Sequence, residues 1–173
     1  MKKATRNLIE WYRVHRILYP WRQTADPYRI WVSEILLQQT RIPVALPFYE
    51  RIVERFPSFQ DLAAADPDEF LAAWSGIGYY RRAENMIACA KQVVQEHGGA
   101  FPADLPALLK LPGIGIYTAG AIKNLCFGEL TPAIDGNIGR VLARLTGCSV
   151  PMSGREFRRK MSAAFMEYGA GVA

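Results

Sequence analysis

Leu111-Pro112-Gly113-Ile114-Gly115-Ile116-Tyr117-Thr118-Ala119-Gly120 is a break between two helical patterns, a short one from Asp104 to Lys110 and a longer one from Ile116 to Phe127. Its paired glycines, Gly113 and Gly115, allow a tight backbone turn whose amides no side chain covers. Where the second helix begins, free amides and the positive end of the helix dipole add to that turn. A DNA phosphate is therefore expected against Gly113, Gly115 and Thr118 without help from Lys or Arg. Taken alone, the same residues also read as a plain helix–helix turn, because short glycine motifs recur widely. Ala119, Gly120 and Ala121 are small enough to let another helix approach closely.

Outward from this break, helical periods and their punctuation run to both ends of the chain. Asp26-Pro27 gives an N-cap followed by proline at the first helical position, and the run through Thr40 is a helix. Ile42 to Phe56 is the next, stopped by Pro57. Asp66-Pro67-Asp68-Glu69 opens a short helix that buries Phe70, Leu71 and Trp74 and ends at Gly76. Tyr80 to His97 carries Ala83, Ile87, Ala90 and Val94 at helical spacing and stops at Gly98-Gly99. Asn137 to Thr146 follows, with Ile138, Val141, Leu142 and Leu145 as its stripe. A capping box at Ser153-Gly154-Arg155-Glu156 then opens a helix with Phe157, Met161 and Phe165 on one side. At the other end Leu8, Trp11, Tyr12, His15 and Leu18 form an apolar stripe closed by Pro20, with His15 tucked along the helix face. No strand pair stands out, so the class is all-α.

The 173 residues, half of them hydrophobic, suffice for one ordinary domain or two small lobes. No apolar run of about 18 residues is present, and the start MKKATRNLIEWYRVHR lacks the apolar stretch of a signal peptide, so a soluble, cytoplasmic protein is expected. A net charge of +5 suits a polyanionic partner. Cys89, Cys126 and Cys148 are too few and too scattered for a disulfide framework or a metal site, and are expected as buried thiols.

Two acids stand out. Glu34 is the one charge within Ile30-Trp31-Val32-Ser33-Glu34-Ile35-Leu36-Leu37, on a face shared with Ile30 and Leu37. Burial raises a carboxyl pKa, and a Glu kept protonated near neutral pH suits a general acid. A structural Glu paired with Arg22 or Arg29 would give the same pattern. Asp135 precedes a helix, so it or Asn137 is a candidate N-cap, and the helix dipole and free amides favour a charged carboxylate there. Together the two look like acids pushed in opposite directions, one protonated and one charged.

Trp31 to Thr40, Trp74-Ser75-Gly76-Ile77-Gly78-Tyr79-Tyr80, the Leu111 to Gly120 hairpin and Asp135-Gly136-Asn137 stand in an order and spacing that resemble the adenine glycosylase (MutY-type) branch of the endonuclease III superfamily. The resemblance runs from about residue 7 to 147 and returns at Met166-Glu167-Tyr168-Gly169-Ala170. It implies a helix-hairpin-helix fold of two helical lobes: residues 22–132 carrying the hairpin, and a shortened second lobe from 1–21 and 133–173. Double-stranded DNA with a mispaired adenine lies between the lobes of a monomer, the adenine is turned out of the duplex, and nucleoid association follows through DNA. In the roles so implied, Glu34 protonates the leaving adenine, Asp135 stabilises the sugar cation, and Asn137 orients Asp135 and the water. Tyr117 stands where lyase relatives carry a Schiff-base Lys, so no strand cutting is expected. Gln38 and Gln39 enter the base stack, Tyr79 or Tyr80 is the wedge beside the opposing base, and Trp21, Arg22 and Glu167 line the adenine pocket.

The chain departs from this pattern in three places. Four cysteines that hold an iron–sulfur cluster in such proteins have no counterpart after Gly169-Ala170-Gly171-Val172-Ala173, so no cofactor or metal is expected. The Thr146–Met166 region is short, and the domain that reads oxidised guanine does not follow. A thymine glycosylase acting on T:G mispairs and a non-catalytic DNA-binding module are the competing functions. Gln38-Gln39 and Gly136-Asn137 favour adenine over the first, and retention of both acids speaks against the second.

Overall fold

The computed structural model describes residues 3–169. Its elements are α1 (Lys3–His15), a single 3₁₀ turn (Pro20–Arg22), α2 (Pro27–Leu36), α3 (Ile42–Arg55), α4 (Phe59–Ala64), α5 (Pro67–Trp74), α6 (Tyr80–His97), α7 (Leu105–Leu108), α8 (Ile116–Phe127), α9 (Gly136–Thr146) and α10 (Arg155–Gly169). No strand occurs among the described residues. The segment after Gly169, where the expected cysteines have no counterpart, lies outside them.

Side-chain caps place five helix starts, those of α2, α4, α5, α7 and α9. Asp26 accepts from the Tyr28 amide at 2.9 Å with Pro27 behind it, Asp66 repeats the device on the Asp68 amide, and Asp104 does so on the Ala107 amide at 3.0 Å. Ser58 caps α4, a helix the sequence pattern did not announce, by accepting from the Asp61 amide.

In α2 every residue from Ile30 to Leu36 is buried, Glu34 included. A helix apolar on all sides belongs at a centre, and α2 packs against both α3 and α8. Around it Trp31, Tyr49, Phe59, Leu62, Phe70, Trp74, Leu108 and Ile122 build the main core. Aromatic edges lock that core, with Phe59 and Phe101 centroids 4.7 Å apart. A second, smaller cluster of Leu142, Phe157, Met161 and Ala164 joins α9 to α10, and the Thr5 hydroxyl donates to the Tyr168 carbonyl at 2.9 Å, tying α1 to α10.

Several expectations need correction. The second helix ends at Leu36, and Gln38-Gln39-Thr40 form a turn, with Gln39 at φ 59° where no α-helix continues. The α1 stripe is unburied and shorter than expected: Leu8, Trp11 and Tyr12 are largely exposed, His15 lies in solvent stacked on Trp11, and Leu18, also exposed, falls beyond the helix, which ends at His15. Of the α9 stripe Leu142 is buried, while Val141 and Leu145 are exposed. These residues, with Leu125, line an open apolar groove of about 810 Å³ between α1, α8, α9 and α10. Period identifies a helix; it does not supply the surface that covers the apolar face. Only Cys89 of the three thiols is fully buried, and Cys126 and Cys148 are half-buried.

Candidate active site

Four segments bring charged and polar groups to one place. Glu34, 6% exposed in the middle of α2, faces Tyr117 from the first turn of α8, Arg22 from the 3₁₀ turn and Asp135 from the start of α9. Burial pushes the Glu34 carboxyl above its ordinary range. The Arg22 guanidinium and a hydrogen bond from the Tyr117 hydroxyl pull it back, and the Asp135 charge adds to the rise. Arg29, the other cation that sequence offered, pairs with Asp26 at 3.6 Å instead. Burial and the neighbouring Glu34 raise the Tyr117 phenol far enough that it stays neutral.

Asp135 is the N-cap of α9: one carboxylate oxygen accepts from the Ile138 amide at 2.7 Å and the other from the Asn137 side chain at 3.2 Å. Asn137 in turn accepts from Arg140, so both polar residues of Asp135-Gly136-Asn137 are held by their own helix. What aims this cap at Glu34 is the extended segment before it. The Asn124 side chain donates to the carbonyls of Gly120 and Thr131, at 2.8 and 2.7 Å, and accepts from the Thr131 amide at 2.8 Å. A Cβ on Gly120 would lie 2.6 Å from the Pro132 carbonyl oxygen. Gly120 thus admits the irregular segment before α9 rather than the helix expected there, while α2 packs on α8.

In the hairpin, Gly113 has φ 75°, a conformation glycine adopts without strain, and Gly115 is the extended N-cap of α8. Ile114, 5% exposed, anchors the turn, and Ile116 stands 70% exposed at its tip. The first amides of α8 have no partner within the helix. Thr118 requires a correction: the residue is 2% exposed and its hydroxyl accepts from the Gln38 side-chain amide at 3.5 Å, so its side chain is not open to an anion.

Among the other residues singled out, Gln38 and Gln39 lie in the turn after α2, and Tyr79 and Tyr80, both exposed, sit at the start of α6. Arg22 is exposed beside Glu34. The Trp21 ring, 3% exposed, stacks on Tyr19 and meets Tyr49 edge-on; it supports the Arg22 turn from the core instead of walling an open pocket. Glu167 is exposed on α10. Lys123, a basic residue near the hairpin, is turned away, its ammonium on the Ala103 carbonyl and Glu129. Arg82 went unnoticed in the sequence, where nothing distinguishes it from Arg81. Its partners are carbonyls and rings brought in from distant elements.

No group of three or more His, Cys, Asp or Glu side chains suited to a metal occurs among the described residues. An iron–sulfur cluster needs four thiolates, and the three cysteines of this chain, on α6, α8 and beside α9, do not fit one.

A turn whose first helix amides lack partners, a buried acid whose pKa is raised and a second carboxylate at a helix start thus lie together in one part of the fold. Residues 32–166 match the model of the HhH-GPD superfamily base excision DNA repair proteins, and the chain belongs to that family. It is 37% identical over 155 residues to an adenine DNA glycosylase of Buchnera aphidicola subsp. Schizaphis graminum, covering 89% of this chain and 45% of that protein. To the adenine DNA glycosylase of Rattus norvegicus it is 40% identical over 149 residues, covering 81% of this chain and 29% of the relative. The structure of a thermostable thymine-DNA glycosylase superposes with a TM-score of 0.76 at 27% identity, over 97% of this chain and 85% of that one. The chain thus spans less than half the length of these two adenine glycosylases.

Proposed function

We propose that this protein is a monofunctional adenine DNA glycosylase that hydrolyses the N-glycosidic bond of adenine mispaired with 8-oxoguanine or guanine in double-stranded DNA. The observation that carries the reading is the meeting of Glu34, Tyr117 and Asp135 beside the hairpin. The hairpin amides take a phosphate next to the target nucleotide. The adenine, turned out of the stack at a cost of a few kcal/mol, least for a mispair, reaches Glu34. Protonated Glu34 donates to the imidazole ring of the base, so that adenine leaves neutral. The Asp135 carboxylate stabilises the oxocarbenium-like sugar, and Asn137 holds Asp135 and the incoming water. Tyr117 supplies no amine, so the abasic sugar is released without strand cleavage. Gln38, Gln39 and Tyr79 or Tyr80 fill the duplex around the extruded base, with Arg22 and Glu167 beside it. The activity runs without an iron–sulfur cluster in a monomer acting in the cytoplasm on nucleoid DNA.

The likeness to a thymine-DNA glycosylase supports a second reading, removal of thymine from T:G pairs. The identity of 37–40% to adenine glycosylases favours adenine. A single-turnover assay on duplexes with A:8-oxoguanine, A:G and T:G pairs decides. Release of adenine alone is expected, release of thymine alone supports the second reading, and release of neither refutes both.

A further inference from the structure

The guanidinium of Arg82 stands where two exposed turns meet the helix of Glu34. From the first turn of α6 its Nη1 donates to the carbonyls of Ile35 at 3.0 Å, Leu36 at 3.4 Å and Gln38 at 2.5 Å. They lie at and just past the helix C-terminus, where carbonyls run short of helical partners, although the Ile35 carbonyl also accepts from the Gln38 amide at 3.3 Å. The guanidinium carbon also lies 5.4 Å from the Trp74 ring centroid and 5.2 Å from that of Tyr79. One side chain therefore joins the end of α2, the Gln38–Gln39 turn and the Tyr79 turn.

Backbone strain falls on the same two turns. Among the described residues only Gln39, at φ 59°, and Tyr79, at φ 52°, combine a side chain with positive φ, a conformation L residues disfavour. Such conformations persist where their surroundings over-determine them, and they gather at functional sites. Arg82 bonds the carbonyl before one of these residues and lies over the ring of the other. Its Nε and Nη2 are buried without a partner among the described residues, and burial lowers its pKa. An apolar side chain would fill the space without that desolvation cost. The position is explained by what the cation links.

We propose that Arg82 is a positioning residue that locks the Tyr79 turn and the Gln38–Gln39 turn into one wedge on the end of the Glu34 helix. The two turns then enter the duplex together, and the extruded base arrives in register with the acid. The inference rests on Tyr79, Gln38 and Gln39 being the residues that enter DNA. Lysine reproduces only part of this link: its ammonium can meet the carbonyls that Nη1 meets, but it has no planar face to lay against the Trp74 and Tyr79 rings.

The test compares the protein with Arg82→Lys, Tyr79→Ala and the double variant for affinity to a duplex carrying a non-cleavable 2′-fluoro-adenosine opposite 8-oxoguanine. Arg82→Lys is expected to weaken binding roughly tenfold, and this loss should vanish in the Tyr79→Ala background, where the wedge is already gone. Two losses that simply multiply would mean that Arg82 acts independently of Tyr79, and the proposal falls. Amide hydrogen exchange at Gln38, Gln39 and Thr40 in the free proteins reads the same link without DNA and without altering Arg82. Tyr79→Ala should speed it severalfold, and unchanged exchange overturns the lock even where Arg82→Lys fails to fold. Neither readout needs base release, so a protein that shows the coupling but frees no adenine refutes the glycosylase reading and leaves this one standing.

Discussion

The Tyr117 phenol, on the first turn of α8, faces the carboxyl of Glu34 in the middle of α2 and, as a donor toward it, lowers the pKa that burial raises. One contact thus ties the hairpin turn to the buried acid. It also tunes that acid, because a donor to the carboxylate favours its charged form against the burial that opposes it.

The pH dependence of base release should follow from this contact. In the proposed reaction Glu34 acts while protonated, and burial raises its pKa above the ordinary 4.5, so single-turnover rates should fall as pH rises through the raised value. Tyr117→Phe removes the hydrogen bond that lowers the pKa, and the falling limb should shift to higher pH. Stability carries the same sign. The contribution of a carboxyl raised in the folded state is fully present below its unfolded pKa and is lost as pH climbs through the folded one. Glu34→Gln should therefore flatten both the rate profile and this part of the thermal-midpoint profile.

Glu34→Gln and Asp135→Asn should each slow adenine release by about 10²-fold or more while leaving duplex affinity within a few-fold, since they remove transition-state interactions and no phosphate contact. Asn is a good N-cap, so Asp135→Asn keeps the start of α9 intact. Single-turnover cleavage and gel-shift titration measure the two quantities. A near-normal rate in either variant refutes that residue's role.

Tyr117→Lys places an amine next to Glu34, within reach of the abasic aldehyde left by adenine. Borohydride should then trap a covalent protein–DNA adduct with the variant and none with the parent protein, whose Lys123 is occupied by Glu129 and the Ala103 carbonyl. An adduct with the parent would make the enzyme bifunctional.

Gly120→Ala should lower the thermal midpoint by several degrees, because its Cβ would stand 2.6 Å from the Pro132 carbonyl oxygen and overpacking of that kind costs about 1–3 kcal/mol. Base release should drop further than stability alone explains, since the displaced segment carries Asp135. An alanine variant with unchanged melting and rate would show that this close approach does not position Asp135.

Purified protein should contain no iron in stoichiometric amount and show no visible absorption from a cluster, because four thiolates are not available in the chain. Metal analysis by plasma emission checks it directly.

Much of the site was legible because each part has a local signature. Asp26-Pro27, Asp66-Pro67 and Asp104 are caps whose bonds close within a few residues, and the bounds of α6 and α8 follow from period and glycine stops. A lone Glu in an apolar run and an Asp before an amphipathic helix likewise need no partner to be noticed. Arg82, the Asn124 bonds to Thr131 and the burial of Thr118 depend on residues far apart in the chain, and no spacing rule announces them.

By itself, then, the sequence determined that the chain is helical, where its hairpin turns and which two acids it presents, because capping, period and backbone freedom are decided within a few residues. Tertiary structure alone decided which apolar faces are covered, as the bare stripe of α1 shows, and which cation faces Glu34, Arg22 and not Arg29. It also decided that Tyr117 and Asp135 come near enough to that carboxyl to shift its pKa. Such choices depend on the packing of α2 against α8 and on the segment beside Gly120, distances set by the whole core and not by any one part of the chain.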